Sequence, residues 1–160
     1  MKKLLLLLVL SISFLYANVG KITALKGNVT IVRASQNIVA TLGSIINEKD
    51  NIKTGKNSRA QLVFKDNTII SVGKKSSFSI QDYLFEAKKP VKATFSFGTG
   101  VFKTITGKIG KINAKKFKLN TKSASIGIRG TIVGLDSKPE GDIIIVPEGQ
   151  IEVVTPDGIV

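Results

Sequence analysis

RAQLVFKDNTIISVG, Arg59 to Gly73, is the stretch whose reading decides the fold. Two β-prone runs flank Lys65-Asp66-Asn67, and an Asp-Asn pair accepts the positive φ that a tight turn demands. The stretch therefore predicts an antiparallel hairpin. The same signal recurs on both sides of it. In GNVTIVRA (Gly27 to Ala34), Val29, Ile31 and Arg33 alternate with Thr30 and Val32. In SSFSIQDYLF, Phe78 and Ile80 alternate with serines. KATFSFGTG, GKIGKI, KKFKLNTKSASIGI and GDIIIVPEGQIEVVTPDG follow, each short and each cut by glycine, proline or asparagine. One segment, GSIINEKDNI (Gly43 to Ile52), reads as a turn or so of helix. Short β-prone segments with regular turn signals predict one all-β domain of stacked short strands, β-helical (solenoid-like) or sandwich-like. A faint self-similarity, GNVTIV against GQIEVV, suits stacked units turned by glycine but sets no fixed period.

The first 17 residues stand apart from this pattern. Lys2 and Lys3 precede an apolar run from Leu4 to Tyr16, and Ala17 offers a small residue for cleavage. The run is shorter than the roughly 20 residues that cross a bilayer. It reads as a secretory signal peptide, residues 1–17, with an uncleaved anchor as the alternative. The absence of cysteine excludes a lipid-modified cysteine anchor. The expected mature domain is 18–160, exported to the periplasm or beyond and not membrane-spanning after cleavage.

Composition narrows the chemistry. There is no histidine and no cysteine, which removes the commonest general base, the most reactive nucleophile and nearly all zinc chemistry. No carboxylate pair is marked out in a cleft. DSKPEGD brings Asp136, Glu140 and Asp142 close, yet it lacks the acid order of a calcium loop and reads as a solvated hairpin tip. No enzyme, metal or cofactor is expected.

The net charge of the whole chain is +13. Such a charge favours anionic surfaces. The strongest cluster is Lys103, Lys108, Lys111, Lys115, Lys116, Lys118 and Lys122, without an intervening acid and with Phe102 and Phe117 interleaved. Basic and aromatic residues together can serve single-stranded nucleic acid, but an export signal argues against that partner. Two readings stay open: a contact to an anionic envelope surface, or a solvated lysine face that discourages edge-to-edge strand pairing.

TKSASIGIRGTIVG, Thr121 to Gly134, sets an arginine inside an apolar run. On a regular strand, Gly127 and Thr131 share the face of Arg129 and leave room for its stem. The guanidinium is then expected to clamp a neighbouring segment by donating to backbone carbonyls or to a carboxylate. The rival reading exposes Arg129 to grip an anionic ligand.

SIGIRGT resembles the Gly-x-Arg-Gly-Thr fingerprint of the FecR domain family. GNVTIVR resembles the family's opening strand and GQIEVV its closing one. Between them stand Gly43, Asp50, Ile52, Thr54, Gly55, Ser58, Ala60, Leu62, Asp66, Thr68 and Ser76, in the order of the family's longest signature. Asn67 replaces the usual glycine after Asp66. Asp50, Thr54, Gly55, Gly127, Arg129, Gly130 and Thr131 are the expected structural motif. Because Asp50 and Arg129 stand in the two family-like motifs, the resemblance makes Asp50 the expected carboxylate partner of Arg129. Full FecR regulators also carry an anti-sigma segment and a transmembrane helix before this domain, and neither is read here. The resemblance implies the fold and a periplasmic compartment, and it does not imply sigma-factor control. The expected role is a non-catalytic binding or sensing/signalling module of the bacterial cell envelope. Its expected partner is an envelope protein, an anionic cell-surface polymer or a membrane surface, and not nucleic acid. The alternative is a structural or assembly component of the envelope or cell surface that binds anionic polymers. The sequence leaves the oligomeric state open.

Overall fold

The computed structural model describes residues 18–86 and 90–159, so the predicted signal segment and part of KKPVK (Lys88 to Lys92) lie outside the described residues. The described chain is nearly all strand. In order it forms β1 (Asn18–Lys26), β2 (Val29–Arg33), β3 (Gln36–Val39), β4 (Ile45–Asn47), β5 (Asn51–Thr54), β6 (Arg59–Phe64), β7 (Ile69–Val72), β8 (Ser77–Leu84), β9 (Lys92–Phe97) and β10 (Gly100–Ile105). A short helix α1 (Lys108–Ile112) and a 3-10 turn (Ala114–Lys116) precede β11 (Phe117–Asn120), β12 (Ser125–Lys138), β13 (Gly141–Thr155) and β14 (Gly158–Ile159). No described helix is long and apolar enough to cross a membrane.

All the strands belong to one sheet, ordered β3-β2-β5-β8-β9-β11-β12-β10-β7-β6-β1-β4, with β13 on β12 and β14 on β13. The sheet curls until its two halves face each other. Phe64 of β6 lies 4.8 Å from Phe95 of β9 and 6.4 Å from Phe78 of β8, although β6 is far from both in the strand order. Phe97 and Phe102 meet edge to face at 4.8 Å. Period two supplies this core: Ala60, Leu62, Phe64, Ile70, Val72, Phe78, Ile80, Phe95 and Phe97 are all buried. A buried side chain of this size contributes about 1.5–3 kcal/mol.

The hairpin at Lys65–Asn67 forms as read, with Ala60 opposite Val72 and Asn67 at φ 66°. The hairpin tip at Pro139-Glu140 also forms, with Lys138 opposite Gly141. The all-β expectation holds: of its two layouts the chain takes the one with facing halves, a curled sheet in which every strand pairing but β9 with β11 is antiparallel, whereas a coil of parallel rungs needs parallel neighbours. Two expectations are corrected. GSIINEKDNI is not helical: it holds β4, a turn at Lys49 (φ 69°) and the start of β5. GKIGKI is not a strand but carries α1, because the buried Asp66 takes the Ile109 N–H on Oδ2 at 3.1 Å and its carbonyl takes the Lys108 N–H at 2.7 Å.

β12 and β13 run across both halves. The start of β12 pairs with β11, its end with β10, and β13 follows along the other edge. Two compensating bulges make this passage possible. Gly130 and Thr131 of β12 oppose only Gly149, and Val146 and Pro147 of β13 oppose only Val133. Each bulge shifts the inward parity of its strand by one residue. On β12 the buried set changes from Ile126 and Ile128 to Thr131, Val133 and Leu135. Arg129 and Gly130 are consecutive exposed residues at the shift. Pro147 sits at the second bulge, where a missing N–H costs no ladder bond.

Candidate functional site

The signature residues build a polar frame under the turns. Asp50 is fully buried and receives a two-pronged bond from Arg33, Nε to Oδ1 at 2.8 Å and a terminal nitrogen to Oδ2 at 2.7 Å. The Asn47 N–H adds a third bond at 2.7 Å. Arg33 also donates to the Ile45 carbonyl at 3.0 Å, so it ties β2 to β4, near the two opposite ends of the strand order. Thr54 Oγ1 donates to the Gly73 carbonyl at 2.5 Å and accepts from the Ser76 N–H at 2.9 Å. Gly55 N–H reaches the Asn28 carbonyl at 2.9 Å, and Ser58 Oγ accepts from the Asn28 N–H at 2.8 Å.

Asp66, also fully buried, accepts on both oxygens: from Thr68 N–H (3.1 Å) and Tyr83 O–H (3.0 Å) on one, from Thr68 Oγ1 (2.7 Å) and Ile109 N–H (3.1 Å) on the other. Burial, and then the Asp66 carboxyl beside it, push the Tyr83 phenol well above the ordinary tyrosine range. Both fully buried acids are thus occupied in holding backbone together.

Arg129 is corrected. It lies exposed at the β12 bulge, and the carboxylate of Asp50 is taken by Arg33 instead. The physical reason is its face: Arg129 falls opposite the buried Ile126 and Ile128 and points outward, whereas Asp50 is fully buried. The bulge that follows turns Thr131 inward, where its N–H donates to Thr106 Oγ1 at 3.2 Å and its carbonyl accepts from that hydroxyl at 2.7 Å. Gly130 is required by its φ of 61° and not by space, since an added Cβ would meet nothing within 4 Å. Gly127 has no close neighbour either, the nearest atom to an added Cβ being 3.8 Å away. The signal for Arg33 was legible: it shares a face with the buried Val29 and Ile31, and β2 pairs Ile31 with Ile52, which sets Arg33 toward Asp50.

All seven lysines of the 103–122 cluster are exposed, but different elements carry them: Lys103 on β10, Lys108 and Lys111 on α1, Lys115 and Lys116 in the 3-10 turn, Lys118 on β11 and Lys122 in the loop before β12. They do not form one site by themselves. Lys122 instead joins two sequence-remote lysines, Lys53 of β5 and Lys75 of the β7–β8 turn, around an open depression of about 550 Å³. Thr54, Ser76, Ser77, Gly98 and Thr99 complete its lining, and no acid is among them.

The depression is held from below and from the side. Lys53 pairs with Ser77 across the sheet, Ser77 N–H donates to the Thr99 carbonyl at 3.1 Å, and Lys75 N–H donates to the Gly55 carbonyl at 2.9 Å. The loop with Lys122 is pinned by Asp142, which accepts from Thr121 Oγ1 at 2.6 Å and from the Ser123 hydroxyl. Partial burial alone would raise the Asp142 pKa, but hydrogen bonds from Ser123, Ser137 and Thr121 outweigh it and leave the group below its ordinary value. Three cations and no acid around one concavity concentrate positive potential there. Sequence spacing could not show Lys53 and Lys75 as members, because only the sheet register brings them to Lys122.

Residues 50–152 match the protein family described as FecR protein. No curated protein matches the chain in sequence. The fold is similar to that of a proposed anti-sigma factor from Parabacteroides distasonis, with a TM-score of 0.56 at 16% sequence identity. That match covers 69% of this chain and 49% of the other, so this chain spans about half the length of that protein. The family match extends over most of the chain and takes in Asp50, Thr54, Gly55, Asp66, Arg129 and Gly130, and the chain belongs to the FecR family.

Proposed function

We propose that this chain is a non-catalytic, exported sensing or signalling module of the bacterial cell envelope, and that it meets an anionic cell-surface polymer or membrane surface through Lys53, Lys75 and Lys122. The observation that carries the reading is the acid-free depression that these three lysines line. Family membership and the likeness to a proposed anti-sigma factor support the regulatory class. The absence of histidine and cysteine, and the engagement of Asp50 and Asp66 in structural bonds, support a non-catalytic role. Export rests on Met1 to Ala17.

A photo-cross-linking residue at position 75, used in intact cells and followed by identification of the attached material, tests the reading. It should capture envelope material from a chain whose amino terminus is Asn18. An intact Met1 terminus with adducts only to cytoplasmic components would overturn it. An assembly role has its own support: β3 is an edge strand whose four residues are all exposed, Val39 at 80%. Sedimentation of the purified chain decides this, since a strict monomer at high concentration excludes assembly through that edge.

A further inference from the structure

A second concavity lies on the outer face of the sheet, across β1, β6, β7 and β10, with a volume of about 430 Å³. That falls within the roughly 300–1,000 Å³ typical of small-molecule sites. Its shape follows from small side chains in register. Ala24 pairs with Gln61, Gln61 with Ser71, and Ser71 with Lys103, so a row of outward positions crosses four strands with only short side chains at Ala24 and Ser71. Gly73 deepens the floor. A Cβ there would stand 2.8 Å from the Val101 carbonyl and 3.2 Å from the Val101 Cβ, so the site cannot be filled from this position. Ala24 and Val101 supply apolar walls, and Val101 is 48% exposed despite its size. Arg59 and Lys103, both exposed, are the cations among the lining residues, and no acid is among them. The carboxylate next along the sheet, Asp136 opposite Val101, is engaged by Lys138 at 3.2 Å.

An apolar trough with two cations and no acid in its lining matches one chemistry: an extended hydrocarbon with a single negative head. We infer that this groove binds a single-chain anionic amphiphile, a fatty-acid carboxylate, with the chain along Ala24, Gly73 and Val101 and the head at Arg59 or Lys103. The site is separate from the lysine-lined depression, and the two share no lining residue. Neither cation is buried, so neutralising them leaves the core untouched.

The test is titration of the isotope-labelled chain with decanoate below its micelle concentration, followed by the backbone amide shifts of Ser71, Gly73, Val101 and Lys103. Saturable shifts centred on these residues are expected, and affinity should rise about two- to fourfold for each methylene added to the chain. The Arg59→Gln/Lys103→Gln variant should bind about tenfold more weakly at an unchanged melting temperature. Ser71→Phe, which fills the trough from an outward position, should abolish binding while leaving polymer binding at Lys53, Lys75 and Lys122 intact. Decanol binding as tightly as decanoate would overturn the role of the cations. Acetate binding as tightly as decanoate would overturn the role of the trough. Shifts elsewhere, or none, would overturn the site itself.

Discussion

Arg33 and Asp50 meet because β2 and β5 are in register, and their bond can be tested one atom at a time. Asp50→Asn keeps the shape but weakens the charge-assisted pair, and Asp50→Ala removes both bonds from Arg33 and the one from the Asn47 N–H. Breaking a buried pair of this kind costs about 3–5 kcal/mol, so Asp50→Ala should lower the thermal midpoint sharply. Arg33→Lys should also destabilise, since an ammonium cannot reproduce the two-pronged geometry. Arg129→Lys, at an exposed position, should move stability by less than about 0.5 kcal/mol. Tyr83 gives a second test at this scale. Its phenol is raised in the folded state, so its contribution is present below the unfolded value near 10 and is lost as pH rises beyond that. Phenolate absorbance from Tyr83 should therefore appear together with unfolding at alkaline pH, and ionisation in a chain that stays folded would contradict the buried Asp66–Tyr83 contact. Asp50, Thr54 and Asp66 were legible in the sequence as motif residues. The partner of Asp50 was misread because alternation puts Arg129 on the outward face, opposite Ile126 and Ile128, while Asp50 is buried beside Arg33; the bulge moved only Thr131 off the expected face.

The β12–β13 ribbon carries the lesson at the scale of elements. Strand positions were readable wherever period two runs unbroken, as in Arg59 to Val72. They were not readable where a buried side chain overrides local pattern, as Asp66 does by capping α1 in GKIGKI. The two bulges were also hidden, because a bulge is set by the partner strand and not by either sequence alone. They make unequal predictions for two glycines. Gly130→Ala has room and meets only the cost of positive φ, about 1–2 kcal/mol. Gly149→Ala has φ 92° and its Cβ would also meet the Thr131 side chain and the Gly130 carbonyl at 2.6 Å, so it should cost clearly more in a melting experiment. Asp142 links this ribbon to the lysine-lined depression. Its pKa is lowered in the fold, so its contribution is present above the unfolded value near 3.9 and is lost as pH falls through the folded value. Asp142→Asn should loosen the Thr121–Ser123 loop at neutral pH, seen as increased amide exchange there, without unfolding the sheet.

At the scale of the molecule, one curled sheet presents lysines on several exposed surfaces, and excess charge alone does not distinguish a site from a solvated coat. The basic run at 103–122 was visible in the sequence, but its division among β10, α1, the 3-10 turn, β11 and a loop was not. The register of β5 against β8, the turn at Lys75 and the clamp on the Lys122 loop are all long-range facts. Binding of the chain to vesicles of acidic phospholipid at low and high salt tests the central claim most directly, with two triple variants compared. Wild type should bind at low salt and weaken as ions screen the contact. Lys53→Gln/Lys75→Gln/Lys122→Gln should lose most of that binding, while Lys111→Gln/Lys115→Gln/Lys116→Gln, which removes the same charge from outside the depression, should keep most of it. Equal losses in the two variants, or a larger loss in the second, would contradict the assignment of the depression as the anionic contact.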